Sequence, residues 1–333
     1  MRSRVVVLAG VPALLMLALG GSRSAHAASA PSKVVFTFGG LSERSGVLFV
    51  GKDAGIFQKH GLDAQVVNVR SGPVGMAALA SGETQFHVGS ATGASIGAMA
   101  GGLDLVFIAG LINKLDGAFV VAPNIRTPSD LKGKRIGLQS IGGGIWMFTM
   151  LALEHWGLNP ERDNIQLRVI GDQSVLAQAV ASDIIDGAYL GYTFGAQMER
   201  QGFRVLADLA KLGIPYQGLG IMARRSYVDR SPDIAEKALR ATVETIAFIN
   251  KPDNKAVVMR SLARGLRLQK VEDAAAGSEM MKVLYDRRIY PSADGLRNVL
   301  RLLGKGNENI RRLKVEDIVD DRIPRKLEKE GLF

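Results

Sequence analysis

The chain has no cysteine, and only four of its 333 residues are histidine. The first absence excludes a disulfide, a thiolate metal site, a cysteine nucleophile and a lipid-bearing cysteine behind a leader. The second leaves too few imidazoles for a His-rich metal centre, so neither a metal nor a cofactor is expected. Aromatic residues are also scarce, at 6%. Beyond residue 31 no apolar run is long enough to cross a bilayer. The chain carries no G-x-S-x-G elbow, P-loop, H-E-x-x-H or G-x-G-x-x-G motif. His60 closes a helix, His87 lies in a buried-looking strand and His155 sits beside Trp156, all structural positions. No catalytic set emerges, and no enzymatic activity is expected.

What is present is glycine, 39 residues of it, within a chain that is 47% hydrophobic. That mixture suits short strands, tight turns and Ala-rich helices, an α/β architecture large enough for two lobes. The first thirty residues read as a secretory signal. Arg2 and Arg4 form its basic end, Val5 to Leu19 its apolar stretch, and Ala25-His26-Ala27 a small-x-small cleavage site, giving a signal over 1–27. An exported, periplasmic protein follows as the expectation. The net charge is +10, with Arg2, Arg4 and Arg23 inside that leader. A basic exported chain favours acidic small molecules or an acidic partner surface. The basic residues are scattered, without interleaved aromatics, so no nucleic-acid partner is expected.

Strands and helices alternate along the chain. Val34 to Phe38, Leu62 to Val69 and Phe86 to Val88 read as strands. Each is followed by a Ser/Gly loop and a helix: Ser42 to Gly46 before Val47–His60, Ser71-Gly72 before Val74–Ala80, and Ser90 to Gly93. Parallel α/β sheets bind ligands at the carboxyl ends of their strands, where these three loops fall. A plain N-cap is the commonest job for a serine before a helix, so each loop alone carries little. Leu105 to Ile112 and Gly117 to Val121 read as further strands. A second α/β unit then opens at Arg135 to Leu138 and runs into Gln139-Ser140, three glycines at 142–144, and an apolar helix from Ile145 to Trp156. Strand, glycines and helix start together present unbonded backbone N–H groups at the positive end of a helix dipole, suited to an anion. Arg44 stands between two serines and either pairs bidentately with an oxyanion or simply meets Glu43 and solvent. Tyr192 follows Gly191, which gives its ring room either to line a pocket or to pack at the helix start. After residue 231 the chain is mainly helical.

Three stretches resemble the substrate-binding proteins of nitrate/sulfonate/taurine-type ABC importers, which share a fold with a thiamine-precursor synthase. "FTFGGLSERSGVLFVGKDAGIFQKHGLDAQVV" matches their opening through Val50, Lys52, Gly55, Ile56, Phe57, Lys59, Gly61 and Leu62. "ALASGETQFHVGSATG" and "TPSDLKGKRIGLQSIGGG" resemble the second and third signatures. The resemblance implies a two-lobed Venus-flytrap fold, each lobe a mostly parallel sheet flanked by helices. Lobe 1 is expected over 31–121 and 223–333 and lobe 2 over 122–222, with crossing strands at Phe119–Ala122 and Leu219–Ala223 as the hinge. Cleft contacts carry over to Ser42, Arg44, Ser71, Ser90, Thr92, Ser140, Gly142 and Gly143; Ser45, Gly72, Gln139 and Tyr192 join them from the loop reading. The implied partners are a small anionic solute (an aliphatic sulfonate, taurine or nitrate) and an inner-membrane permease with its ATPase, served by a monomer. A thiamine pyrimidine precursor, an aromatic acid or a membrane sensor are the alternatives. The synthase chemistry of the shared fold needs cysteines that this chain lacks.

Overall fold

The computed structural model describes residues 30–69 and 71–333. The leader expected over 1–27 lies outside the described residues. No helix among the described residues is long and apolar enough to cross a membrane.

Two five-stranded sheets organise the described residues. The first holds, in order, β2 (Leu62–Asn68), β1 (Ser32–Phe38), β3 (Phe86–Gly89), β10 (Pro215–Arg224) and β4 (Leu105–Lys114). The second holds β7 (Gln166–Val169), β6 (Arg135–Leu138), β8 (Gly187–Leu190), β5 (Ala118–Val121) and β9 (Arg204–Asp208). In each, the first strand of a βαβαβ run lies between the second and third and parallel to both. Each sheet then receives an antiparallel strand from elsewhere in the chain. β10 returns to pair with β3 and β4, and β5 leads the second sheet, pairing with β8 and β9. Each sheet is therefore mixed but mostly parallel: four strands share one direction and the inserted strand, β10 or β5, runs against them.

The strand Ala118–Val121, expected to cross between lobes, is paired on both edges inside the second sheet. The chain passes between the sheets just before it, at Leu115-Asp116-Gly117, and returns just before β10, at Gly213-Ile214. The stretch expected as one helix from Val47 to His60 is two, Gly46–Asp53 and Ile56–Lys59. Gly55 between them is left-handed (φ 70°), which redirects the chain towards β2.

Alternation decides which side chains enter the core. In β1, Val34, Phe36 and Phe38 are buried, and Phe36 meets Phe86 and Phe57 at ring distances of 5.0 and 5.1 Å. The apolar helix Gly144–His155 buries Met147, Phe148, Leu151 and Ala152. The helix Ala293–Gly304, from the C-terminal region, adds Leu296 and Val299 to the same cluster.

Candidate functional site

The carboxyl ends of β1, β3 and β6 bring the Ser/Gly loops to one cavity of about 120 Å³. Ser42, Arg44, Ser45, Ser71, Gly72, Ser90, Thr92, Gln139, Ser140 and Gly143 line it. Gly142 and Tyr192 are not among the lining residues. The Gly142 carbonyl instead accepts the Gly93 N–H at 2.9 Å, joining a loop of the second sheet to one of the first. The space beside Gly191, expected to free the Tyr192 ring, holds the Glu43 carboxylate, which lies within 2.7 Å of where a Cβ would stand. The Tyr192 hydroxyl turns away and donates to Asp208 at 2.7 Å.

The loops do not treat their hydroxyls alike. Thr92 caps the helix Gly93–Ala100, accepting from Ser95 N at 3.3 Å while Ser95 Oγ accepts from Thr92 N at 2.9 Å. Its capping role is filled within the protein. Ser45 Oγ donates to Gly40 O at 3.0 Å and closes the turn after β1. Ser42 and Ser71 stand at N-cap positions without a side-chain cap bond, so their hydroxyls are not committed to the helices behind them. The helix Gly144–His155 has Gly143 as N-cap, also with no side-chain cap. Gly143, Gly144 and Ile145 line the cavity; the Gly143 N–H donates to Ser140 O at 3.3 Å, while the first-turn N–H groups of Gly144 and Ile145 have no partner within the helix.

Arg44 lies at the floor and is buried. Its guanidinium pairs with Asp116, donates to the Gly218 carbonyl, and reaches Ser90 Oγ at 3.4 Å. Gly218 is available because β10 slips register between Pro215 and Leu219, which turns that carbonyl out of the ladder. Ser90 Oγ donates to the same carbonyl at 2.5 Å. The guanidinium lies 4.6 Å over the Phe148 ring, which stacks on Tyr189 at 4.3 Å. Burial opposes the charge on Arg44, but the Asp116 carboxylate and the Tyr189 and Tyr216 phenols together outweigh it and hold the guanidinium above its ordinary value. Burial also pushes the Asp116 carboxyl up to about 6, against the pull of Arg44. The Tyr189 hydroxyl, buried at the same floor, has no hydrogen-bond partner among the described residues.

Several walls were invisible as site residues in the sequence. Met76, Ile145, Phe148, Tyr189, Leu219 and Met222 line the cavity and give it an apolar body. His87 lines it too, pushed down to about 4 by burial and therefore neutral at pH 7, with Nδ1 2.9 Å from Thr37 Oγ1. Gln173 lies at the second-sheet side, its amide oxygen accepting Gly191 N–H at 2.6 Å. The apolar residues share the spacing of ordinary core, so no local pattern marks them. Among the described residues no cluster of His, Asp and Glu is arranged to hold a metal.

Two α/β lobes with ligand-sized space between their strand ends define the periplasmic-binding-protein fold, and solved structures of that class agree. The nitrate-binding protein NrtA from Synechocystis PCC 6803 matches with a TM-score of 0.73 at 14% identity, covering 90% of this chain and 89% of that one. The alkanesulfonate-binding protein SsuA from Xanthomonas axonopodis pv. citri, solved with MOPS, matches with a TM-score of 0.70 at 19% identity, covering 88% and 100%. The chain belongs to the NMT1/THI5-like family, whose model matches residues 43–255. It is 26% identical over 181 residues to the taurine-binding periplasmic protein of Escherichia coli (strain K12), covering 53% of this chain and 54% of that protein. The match thus spans about half the length of this curated relative.

Proposed function

We propose that the protein is the extracytoplasmic solute-binding subunit of an ABC importer, that it captures a small organic anion in the cleft, and that it delivers this solute to a membrane permease. The observation that carries the reading is the pairing of an uncapped helix N-terminus at Gly143–Ile145 with apolar walls at Met76, Phe148, Leu219 and Met222 around one cavity. The first suits an oxyanion and the second needs a carbon body. A sulfonate or carboxylate with an aliphatic or aromatic tail meets both demands better than bare nitrate does. The sulfonate, taurine and nitrate names of the relatives support the same class. Ligand binding closes the lobes about the passages at 115–117 and 213–214, and the protein acts as an exported, non-enzymatic monomer.

A second reading, an aromatic acid or pyrimidine as the solute, is favoured by one feature: the rings of Phe148 and Tyr189 line the cavity together with Arg44. A thermal-shift panel of aliphatic sulfonates, taurine, nitrate, aromatic acids and aminopyrimidines tests both. The reading expects organic anions to raise the melting temperature more than nitrate. A panel with no response removes the organic-anion assignment.

A further inference from the structure

Of the residues that line the cavity, Arg44 is the cation, and its charge is already engaged. Asp116 holds one side of the guanidinium, and Gly218 O and Ser90 Oγ meet another. Glu43, one residue before Arg44, is itself buried and committed to the helix Tyr192–Arg200, accepting Tyr192 N–H at 2.7 Å and Thr193 N–H at 3.4 Å. Behind the cavity wall Arg44 therefore stands with two buried carboxylates, Asp116 and Glu43, while Asp172 is the carboxylate in the wall itself. A solute with a fixed negative charge would add a second excess anion to a buried site, and uncompensated buried charge is expensive.

We propose that anion capture in this cleft is proton-coupled, with Asp116 as the specificity-determining residue: an oxyanion gains the Arg44 guanidinium only as Asp116 takes up one proton. The inference rests on the reading that a solute enters this cleft. One proton passes from water to the Asp116 carboxylate. Arg44 keeps its own proton and exchanges Asp116 for the ligand oxyanion. An uncharged head group of the same shape needs no proton.

The surroundings of Asp116 support this. It is 1% exposed, in the passage between the sheets. The charged groups that face it are Arg44 and Glu43 from the turn after β1 and Lys114 from the end of β4. The phenols around it are Tyr189 on β8, Tyr192 at the helix start, Tyr216 on β10 and Tyr285 after the helix Ala275–Leu284. Burial holds all four phenols above their ordinary value, so none of them takes the charge. Burial already raises the Asp116 carboxyl to about 6, and an anion on Arg44 acts in the same direction. For a fixed anion the affinity therefore falls with rising pH, approaching about tenfold per pH unit while one proton is taken up.

The test is calorimetry on the full exported chain with benzenesulfonate and its uncharged near-isostere benzenesulfonamide, at pH 6 and 8, in two buffers of different ionisation enthalpy. Benzenesulfonate is expected to bind with uptake of about half a proton at pH 6 and close to one at pH 8, and at least tenfold more weakly at pH 8. Benzenesulfonamide is expected to show neither effect. Asp116→Asn frees the guanidinium from a charged partner, so it should bind benzenesulfonate more tightly at pH 8, with no proton uptake. No proton uptake in the wild type, or no gain at pH 8 in a folded Asp116→Asn variant, overturns the proposal. If the wild type binds benzenesulfonate without proton uptake, the coupling fails while the organic-anion reading stands. If it binds neither compound even at pH 6, where about half of Asp116 carries its proton, both fail. Should the variant not fold, the wild type at pH 5, with Asp116 protonated, replaces it; no benzenesulfonate binding there overturns the proposal.

Discussion

The carboxylate of Glu43, in the turn after β1, accepts the backbone N–H of Tyr192 at 2.7 Å, so a side chain of the first sheet's loop serves as the anion at a helix N-terminus of the second. Glu43 is buried, and its own backbone is held by the Tyr285 hydroxyl, 3.0 Å from Glu43 O and 3.0 Å from Val47 N. The contact ties the two halves of the cleft before any solute arrives.

Replacing Glu43 by Gln should therefore cost about 2 kcal/mol of unfolding free energy, as expected for a charge-assisted bond at a helix start. Urea denaturation reads this directly. The same variant should scatter as a more extended particle in solution without ligand. A variant as stable and as closed as the wild type would show that the contact holds nothing together.

Ser140→Asp should weaken binding of an organic sulfonate by at least about tenfold while leaving the unliganded melting temperature unchanged. A carboxylate before the helix Gly144–His155 suits the helix dipole but occupies the place of the ligand oxyanion. Calorimetry with the tightest compound of the panel checks the first half, and a melting curve the second.

Phe148→Ala should lower stability by about 3 kcal/mol or more, because the ring is buried and packed on Tyr189 at 4.3 Å and Tyr216 at 5.1 Å. Phe148→Leu should keep much of the stability but lose affinity for aromatic solutes more than for aliphatic ones. Equal loss for both would argue against ring stacking at the floor.

His87 provides a pH test of the fold. Burial lowers its imidazole from 6.5 to about 4, so the unfolded chain binds its proton at higher pH than the folded chain does. A lowered value gives stability that is present above pH 6.5 and lost as the pH falls towards 4, amounting to roughly 3 kcal/mol. A His87→Gln variant should lose less stability over that interval, as read by denaturation at pH 7, 5.5 and 4. The ring also explains Gly75: a Cβ there would lie 2.5 Å from His87 Cε1. Gly75→Ala, normally favourable inside a helix by up to about 1 kcal/mol, should instead destabilise. Stabilisation by that change would mean the ring has other room.

Local chemistry was readable and distant pairing was not. The loops at Ser42, Ser71, Ser90 and Gln139-Ser140 follow strands and precede helices within a few residues, so the sequence alone brings them to the sheet ends that form the cavity. The Arg44–Asp116 pair joins residues 72 positions apart, and nothing around Asp116 announces it. Phe148, Met76 and Met222 wear the pattern of core, since a cavity wall and a packed interior ask the same of a side chain until something is left out between them. Tyr192 misled because the room beside Gly191 was real but was filled by Glu43 from the other half of the chain. The antiparallel strands Ala118–Val121 and Pro215–Arg224 read correctly as strands, yet their sheet is set by partners far along the chain.

The decisive measurement is the crystallographic position of a bound organic sulfonate. The sulfonate oxygens are expected within hydrogen-bond distance of both the Arg44 guanidinium and the Gly144 and Ile145 N–H groups, with the tail against Phe148 and Met222. A sulfonate bound elsewhere, or one that touches only one side of the cleft, would contradict that expectation.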